Sequence, residues 1–142
     1  MQVAIAVDDP RAADVTELVR RHLEFAHEHT EPEGVFALDL DGLLDPAVTF
    51  FSARRDGALV AIGALKELNP RHGEVKSMHT AQAVRGQGVG RAMVEHLLAV
   101  ARARGYERVS LETGSMQAFA PAQALYRGAG FTACGPFADY PD

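Results

Sequence analysis

Gln82-Ala83-Val84-Arg85-Gly86-Gln87-Gly88-Val89-Gly90-Arg91 stands between an extended segment and an amphipathic helix, and its reading decides the fold. The glycines at 86, 88 and 90 remove side chains where a backbone must approach an anion closely. The helix that follows points unpaired N–H groups and the positive end of its dipole at that anion. Arg85 and Arg91 add cationic donors, so the run reads as a pyrophosphate cradle. Two commoner glycine loops do not fit. A Walker loop ends in Gly-Lys-Ser/Thr, and here Gly90-Arg91-Ala92 stands instead; a dinucleotide fingerprint needs a third glycine where Met93 stands.

What remains is Arg-x-x-Gly-x-Gly opening a helix, with two further runs in fixed order around it. Upstream, Gly73-Glu74-Val75-Lys76-Ser77-Met78-His79-Thr80 reads as a strand ending shortly before the arginine. Downstream, Leu125-Tyr126-Arg127-Gly128-Ala129-Gly130-Phe131 closes a helix and opens a strand. Together these resemble the acyl-CoA loop, fourth strand and Leu-Tyr-x-x-x-Gly-Phe signature of the GNAT N-acetyltransferase superfamily, over roughly residues 58 to 137. One position departs from the pattern: Phe119 stands where members often carry an asparagine. The resemblance implies an α/β GNAT acyl-CoA N-acyltransferase fold, a mixed central sheet with helices on both faces. It also implies that the pantetheine arm enters between the fourth and fifth strands. The family adds one more strand after the one at Phe131, whereas this chain stops at Asp142. The last strand is then missing, or the sheet ends one strand short and leaves an edge that a second copy could cover as a homodimer.

The implied chemistry is direct transfer of an acetyl group from acetyl-CoA, as co-substrate and without a metal, to a primary amine of a small molecule. The amine must lose a proton from a group of pKa about 10, so a base is needed. Glu74 is the first candidate on the resemblance, and His79 is the rival with the better intrinsic pKa. Alternation along a strand puts 74 and 79 on opposite faces unless a bulge intervenes, and Glu74 with Lys76 also reads as a same-face ion pair. A backbone N–H near His79 would stabilise the developing oxyanion. Tyr126 matches the family's acid for the departing thiolate. The cofactor-binding set is Met78, His79, Thr80, Arg85, Gly86, Gln87, Gly88, Val89, Gly90, Arg91 and Tyr126. Two other functions remain open: a non-catalytic domain that binds acetyl-CoA as a regulatory ligand, and a protein or peptide N-terminal acetyltransferase.

The 142 residues fit one domain, 1–142, with room for a core but not for a second catalytic unit. The longest apolar stretch, Ala58 to Leu65, is too short to span a bilayer, and the first residues lack a signal-peptide pattern. A soluble, cytoplasmic protein is expected, without a membrane partner. A formal charge of −5 argues against a nucleic-acid binder. The single cysteine, Cys134, excludes an internal disulfide and reads as a small buried hydrophobe. The acidity is local: Glu28, Glu31, Glu33, Asp39, Asp41 and Asp45 lie in one stretch without Lys or Arg. This is a solvated loop or, on the sharper reading, the mouth through which a cationic amine enters.

Periodicity supplies the remaining elements. Val3 to Val7 alternates as a strand. Asp9-Pro10 opens a helix from about residue 10 to about 28, with Val15, Leu18, Val19, His22, Leu23 and Ala26 on one face. His22 there reads as a packed or capping histidine, and His27 and His29 lack metal-ligand spacing. A short helix follows around Leu38 to Leu44. Val48–Arg54 and Ala58–Glu67 form a hairpin, because Asp56-Gly57 supplies the two positive-φ positions of a tight turn. A helix from Gln87 to Arg104, a strand from Val109 to Thr113, a short helix opened by Pro121 and a strand from Phe131 to Phe137 complete the expectation.

Overall fold

The computed structural model describes residues 3–29, 40–81, 84–85, 87–111, 126–128 and 130–131. Its elements in chain order are β1 (Ala4–Val7), α1 (Ala13–His29), α2 (Leu40–Leu43), β2 (Val48–Arg55), β3 (Ala58–Asn69), β4 (His72–Thr80), α3 (Val89–Ala103) and β5 (Arg108–Leu111). The strands lie side by side in sequence order as one sheet. The pairs from β1 to β4 are antiparallel, and β5 joins β4 in parallel. That parallel step needs a crossover, which α3 supplies.

The β2–β3 hairpin turns on Asp56 at φ 53° and Gly57 at φ 83°, the two left-handed positions expected. β3 is buried on both faces from Val60 to Leu65, so it runs through the middle of the molecule between two apolar layers. On one side Ile62 and Ala64 pack with Phe50 and with Val15, Leu18 and Val19 of α1. On the other side Ala61, Leu65 and Val75 meet Val89, Met93 and Leu97 of α3. Helices therefore cover both faces of a mixed sheet, as the resemblance implied.

α1 begins at Ala13, three residues later than Asp9-Pro10 predicts. Asp9 caps a separate turn instead, its Oδ1 accepting the Arg11 backbone N–H at 2.9 Å and its carbonyl accepting that of Ala12 at 3.1 Å. α3 likewise begins at Val89 rather than Gln87, because Gly88 adopts φ 82° and serves as the N-cap. The helix expected from Pro121, the strand from Phe131 to Phe137, Cys134, Phe119 and most of the acidic stretch lie outside the described residues, apart from a helical turn at 126–128.

β4 departs most from regular alternation. Ile62 of β3 pairs with His79 and Ala64 pairs with Lys76, so between these pairs one residue of β3, Gly63, faces two of β4, Ser77 and Met78. The extra residue makes a β-bulge, and Ser77 within it takes φ 55°. The bulge resets which face each side chain occupies. Glu74, Lys76 and His79 pair with Lys66, Ala64 and Ile62, and so all three lie on the α1 side of the sheet. Simple alternation put Glu74 and His79 on opposite faces; the structure places them on the same one.

Candidate active site

Sequence-local rules build the first part of the site. At the start of α3 the first intrahelical bond runs from the Ala92 N–H to the Gly88 carbonyl at 3.1 Å. The N–H groups of Val89, Gly90 and Arg91 therefore have no partner within the helix, and among the described residues no side chain caps them. Gly88 is exposed, and a Cβ built on it would meet nothing within 4 Å. The space over Gly88 is thus open among the described residues, as close approach of an anion to this helix start requires.

Side chains brace this loop from several directions. Arg85 Nε donates to the Thr80 carbonyl at 3.2 Å, tying the loop to the end of β4. Arg55 Nη1 donates to Gln87 Oε1 at 2.7 Å, a contact from the β2 end that the sequence reading missed. Arg91 pairs with Glu95 at 3.0 Å one turn along α3. Its Nη1 lies 3.4 Å from where a Cβ on Gly128 would stand. The turn that carries Tyr126 therefore sits against the first turn of α3, so the two sequence signatures meet in space. Gly86 lies outside the described residues.

Tyr126 is buried, with its ring edge-on to Phe131 at 5.9 Å between centroids. Burial raises its phenol pKa well above the ordinary range, so the hydroxyl keeps its proton at neutral pH. Met78 turns to the α3 side, where its Sδ lies 2.9 Å from the position a Cβ on Gly63 would take. What Met78 offers the other face is its backbone.

On the α1 side, Glu74 is buried and receives Lys76 Nζ at 3.2 Å, the ion pair anticipated from their spacing. Both side chains are sealed, at 3 % and 9 % exposure. Ser110, opposite Glu74 on β5, lies 2.8 Å from His72 Nε2 through its hydroxyl and extends this polar row. His79 ends the row and is only partly buried. Its Nδ1 lies 3.3 Å from Nδ1 of His22 on α1, and Phe25 stands edge-on at 6.4 Å. Burial first, then the nearby His22, Arg85 and Arg21, lowers the His79 pKa to about 4, and burial alone lowers that of His22 to about 4. Both imidazoles are therefore neutral at pH 7. His22 is the packed histidine that the apolar face of α1 implied, but its partner could not be read from the sequence.

Ser77 completes the inventory. It holds a left-handed backbone, and its buried Oγ has no hydrogen-bond partner among the described residues. Such strained backbone costs about 1–3 kcal/mol and clusters at functional sites in proteins generally. Serine carries no sequence signal for positive φ, which is why the sequence left a bulge open without placing one.

A sheet with helices on both faces, an anion-ready loop opening α3, and a bulged strand before that loop define an acyl-CoA N-acyltransferase fold. A Klebsiella pneumoniae protein of known structure, assigned as an acyl-CoA N-acyltransferase, superposes with a TM-score of 0.81 at 29 % identity, covering 98 % of this chain and 89 % of that one. Residues 14–131 match the model of the acetyltransferase (GNAT) family; the chain belongs to that family and is an N-acetyltransferase. Over 136 residues it is 46 % identical to an uncharacterized N-acetyltransferase (YsnE) of Bacillus subtilis, covering 96 % of this chain and 90 % of the relative. The crystal structure of a GNAT family acetyltransferase from Elizabethkingia anophelis with acetyl-CoA bound shares the fold, with a TM-score of 0.72 at 16 % identity over 94 % of this chain and 78 % of that one. No described helix is long and apolar enough to cross a membrane.

Proposed function

We propose that the protein transfers an acetyl group from acetyl-CoA to a primary amine by direct attack, with His79 as the base and Tyr126 as the acid. The observation that carries this reading is the start of α3, whose N–H groups have no capping partner among the described residues and, beside a glycine at φ 82°, suit the pyrophosphate of coenzyme A. The fold relative with acetyl-CoA bound supports the same donor.

The ammonium first sheds one proton to solvent, and the neutral amine nitrogen then attacks the thioester carbonyl carbon. A C–N bond forms, and the oxygen gains negative charge that a backbone N–H at the β4 bulge accommodates. The attacking nitrogen becomes cationic and far more acidic than the free ammonium, so a neutral imidazole suffices to take its proton. His79 is preferred to Glu74 for this step because its ring is partly exposed, whereas the Glu74 carboxylate is sealed and bound to Lys76. The C–S bond then breaks, the thiolate receives the Tyr126 proton, and the tyrosinate regains a proton from solvent as coenzyme A departs. The acidic stretch between Glu28 and Asp45 supports an acceptor that carries positive charge beyond its reacting amine.

Release of free thiol from acetyl-CoA over a panel of amines, protein N-termini included, tests this reading. Turnover with cationic amines is expected, with an advantage over a matched neutral amine that shrinks as salt rises. Binding of acetyl-CoA without thiol release for any amine would overturn it. A neutral acceptor preferred at every ionic strength would remove the charge preference alone.

A further inference from the structure

We infer that His22 is a positioning residue that sets the tautomer of His79, leaving His79 Nε2 bare toward the acceptor amine. This inference rests on the proposed role of His79 as base. It is carried by the contact between the rings, with Nδ1 atoms 3.3 Å apart, centroids 5.3 Å apart and planes at 74°.

At that separation the two Nδ1 atoms cannot both be bare, since their lone pairs would repel. Nor can both carry hydrogen, since the hydrogens would collide. One hydrogen lies between them, and each ring then has the opposite state at its other nitrogen. With the hydrogen on His79, its Nε2 keeps a free lone pair and can accept a proton. With the hydrogen on His22, Nε2 of His79 already carries one and cannot act.

The first arrangement also answers a difficulty in the site. Burial, then any charge on His22, then the cations Arg85 and Arg21, oppose a positive charge on His79, so only a neutral His22 is compatible with protonating it. When His79 takes the amine proton on Nε2, its Nδ1–H points at the bare Nδ1 of His22, and that hydrogen bond strengthens as the ring becomes cationic. The pair accepts one proton, not two. Phe25, on the same helix as His22, stands edge-on to the His79 ring, with centroids 6.4 Å apart. The proton leaves from Nε2 to solvent once the amide has formed.

The test compares His22→Phe, His22→Asn and His22→Gln with the wild type. Phe keeps the ring volume and removes the acceptor. Asn puts an amide oxygen where Nδ1 stands, and Gln places it one bond further out. His22→Phe should lower kcat roughly 10- to 100-fold, the usual loss when a histidine's orienting partner is removed, with KM for acetyl-CoA unchanged. Asn should recover most of that loss and Gln little of it. Nitrogen-15 spectra provide a readout that needs no turnover. His79 should show a protonated Nδ1 and a bare Nε2 in the wild type at pH 7, and should shift toward the Nε2–H form in His22→Phe. An Nε2–H tautomer in the wild type, or an unchanged tautomer and kcat in His22→Phe, overturns the inference. Wild-type kcat in His79→Gln would instead remove the base assignment, while the spectra still decide whether His22 sets the tautomer. Should the Phe variant fail to fold, the wild-type spectrum and the Asn and Gln pair retain the decision.

Discussion

His22 Nδ1 and His79 Nδ1 lie 3.3 Å apart across 57 positions of sequence, joining the first helix to the bulged strand. Both rings are neutral in the folded protein at pH 7, because burial lowers each pKa from 6.5 to about 4.

That neutrality fixes the pH dependence of stability. In the unfolded chain both histidines take up protons as pH falls through about 6.5. The native state resists until about 4, so between those values the unfolded state binds more protons and stability falls with falling pH. The loss should reach up to about 1.4 kcal/mol per pH unit for each histidine. Urea unfolding from pH 7 to 4.5 measures it, and His22→Phe should flatten the slope. Below about 3.8 the curve should steepen again. There Asp8, lowered first by its bond from Ser52, and Asp14, lowered first by that from Arg54, become protonated. A stability curve flat between pH 7 and 4.5 would mean that the pair is charged or open in the native state.

Gly88→Ala and Gly88→Val probe the anion loop. Among the described residues no atom crowds the new Cβ, so the structural cost is that of φ 82°, roughly 1–2 kcal/mol. Acetyl-CoA at one hundred times its dissociation constant should stabilise the wild type by about 2.7 kcal/mol. The Val variant should lose that stabilisation even if it folds, because the side chain stands where phosphate must approach. A folded Val variant with an undiminished thermal shift would remove the loop from the binding site.

Tyr126→Phe deletes one hydroxyl from a buried ring. Folding and acetyl-CoA affinity should survive, while turnover falls by about 10²- to 10⁴-fold, the contribution of one acid-base group. Single-turnover measurements, where chemistry limits the rate, decide this. Wild-type rates would make Tyr126 a packing residue beside Phe131.

Gly73→Ala should destabilise the protein by about 1–3 kcal/mol through overpacking. A Cβ there would stand 2.7 Å from Cδ2 of Tyr106, and that ring is tethered by its hydroxyl to Glu67 Oε1 at 2.9 Å. Chemical denaturation reads the cost, and Tyr106→Leu in the same chain should recover part of it by making room. An Ala variant as stable as the wild type would show that the ring yields freely.

What the sequence determined by itself was local. The Asp56-Gly57 turn, the apolar face of α1, the doubly buried β3 and the glycine loop before α3 are all encoded within a few neighbouring residues, where backbone freedom and side-chain period act directly. The Glu74–Lys76 ion pair was legible for the same reason, since the two stand two positions apart on one strand. The tertiary structure decided what depends on register and on packing between distant segments. Register against β3 inserted the bulge at Ser77 and brought His79 round to the face of Glu74; a serine at φ 55° gives no local warning of this. The meeting of His22 with His79, of Arg55 with Gln87, and of Tyr106 with the space over Gly73 each joins elements that no short window contains. Such contacts follow from how layers pack, and only the folded chain brings those layers together.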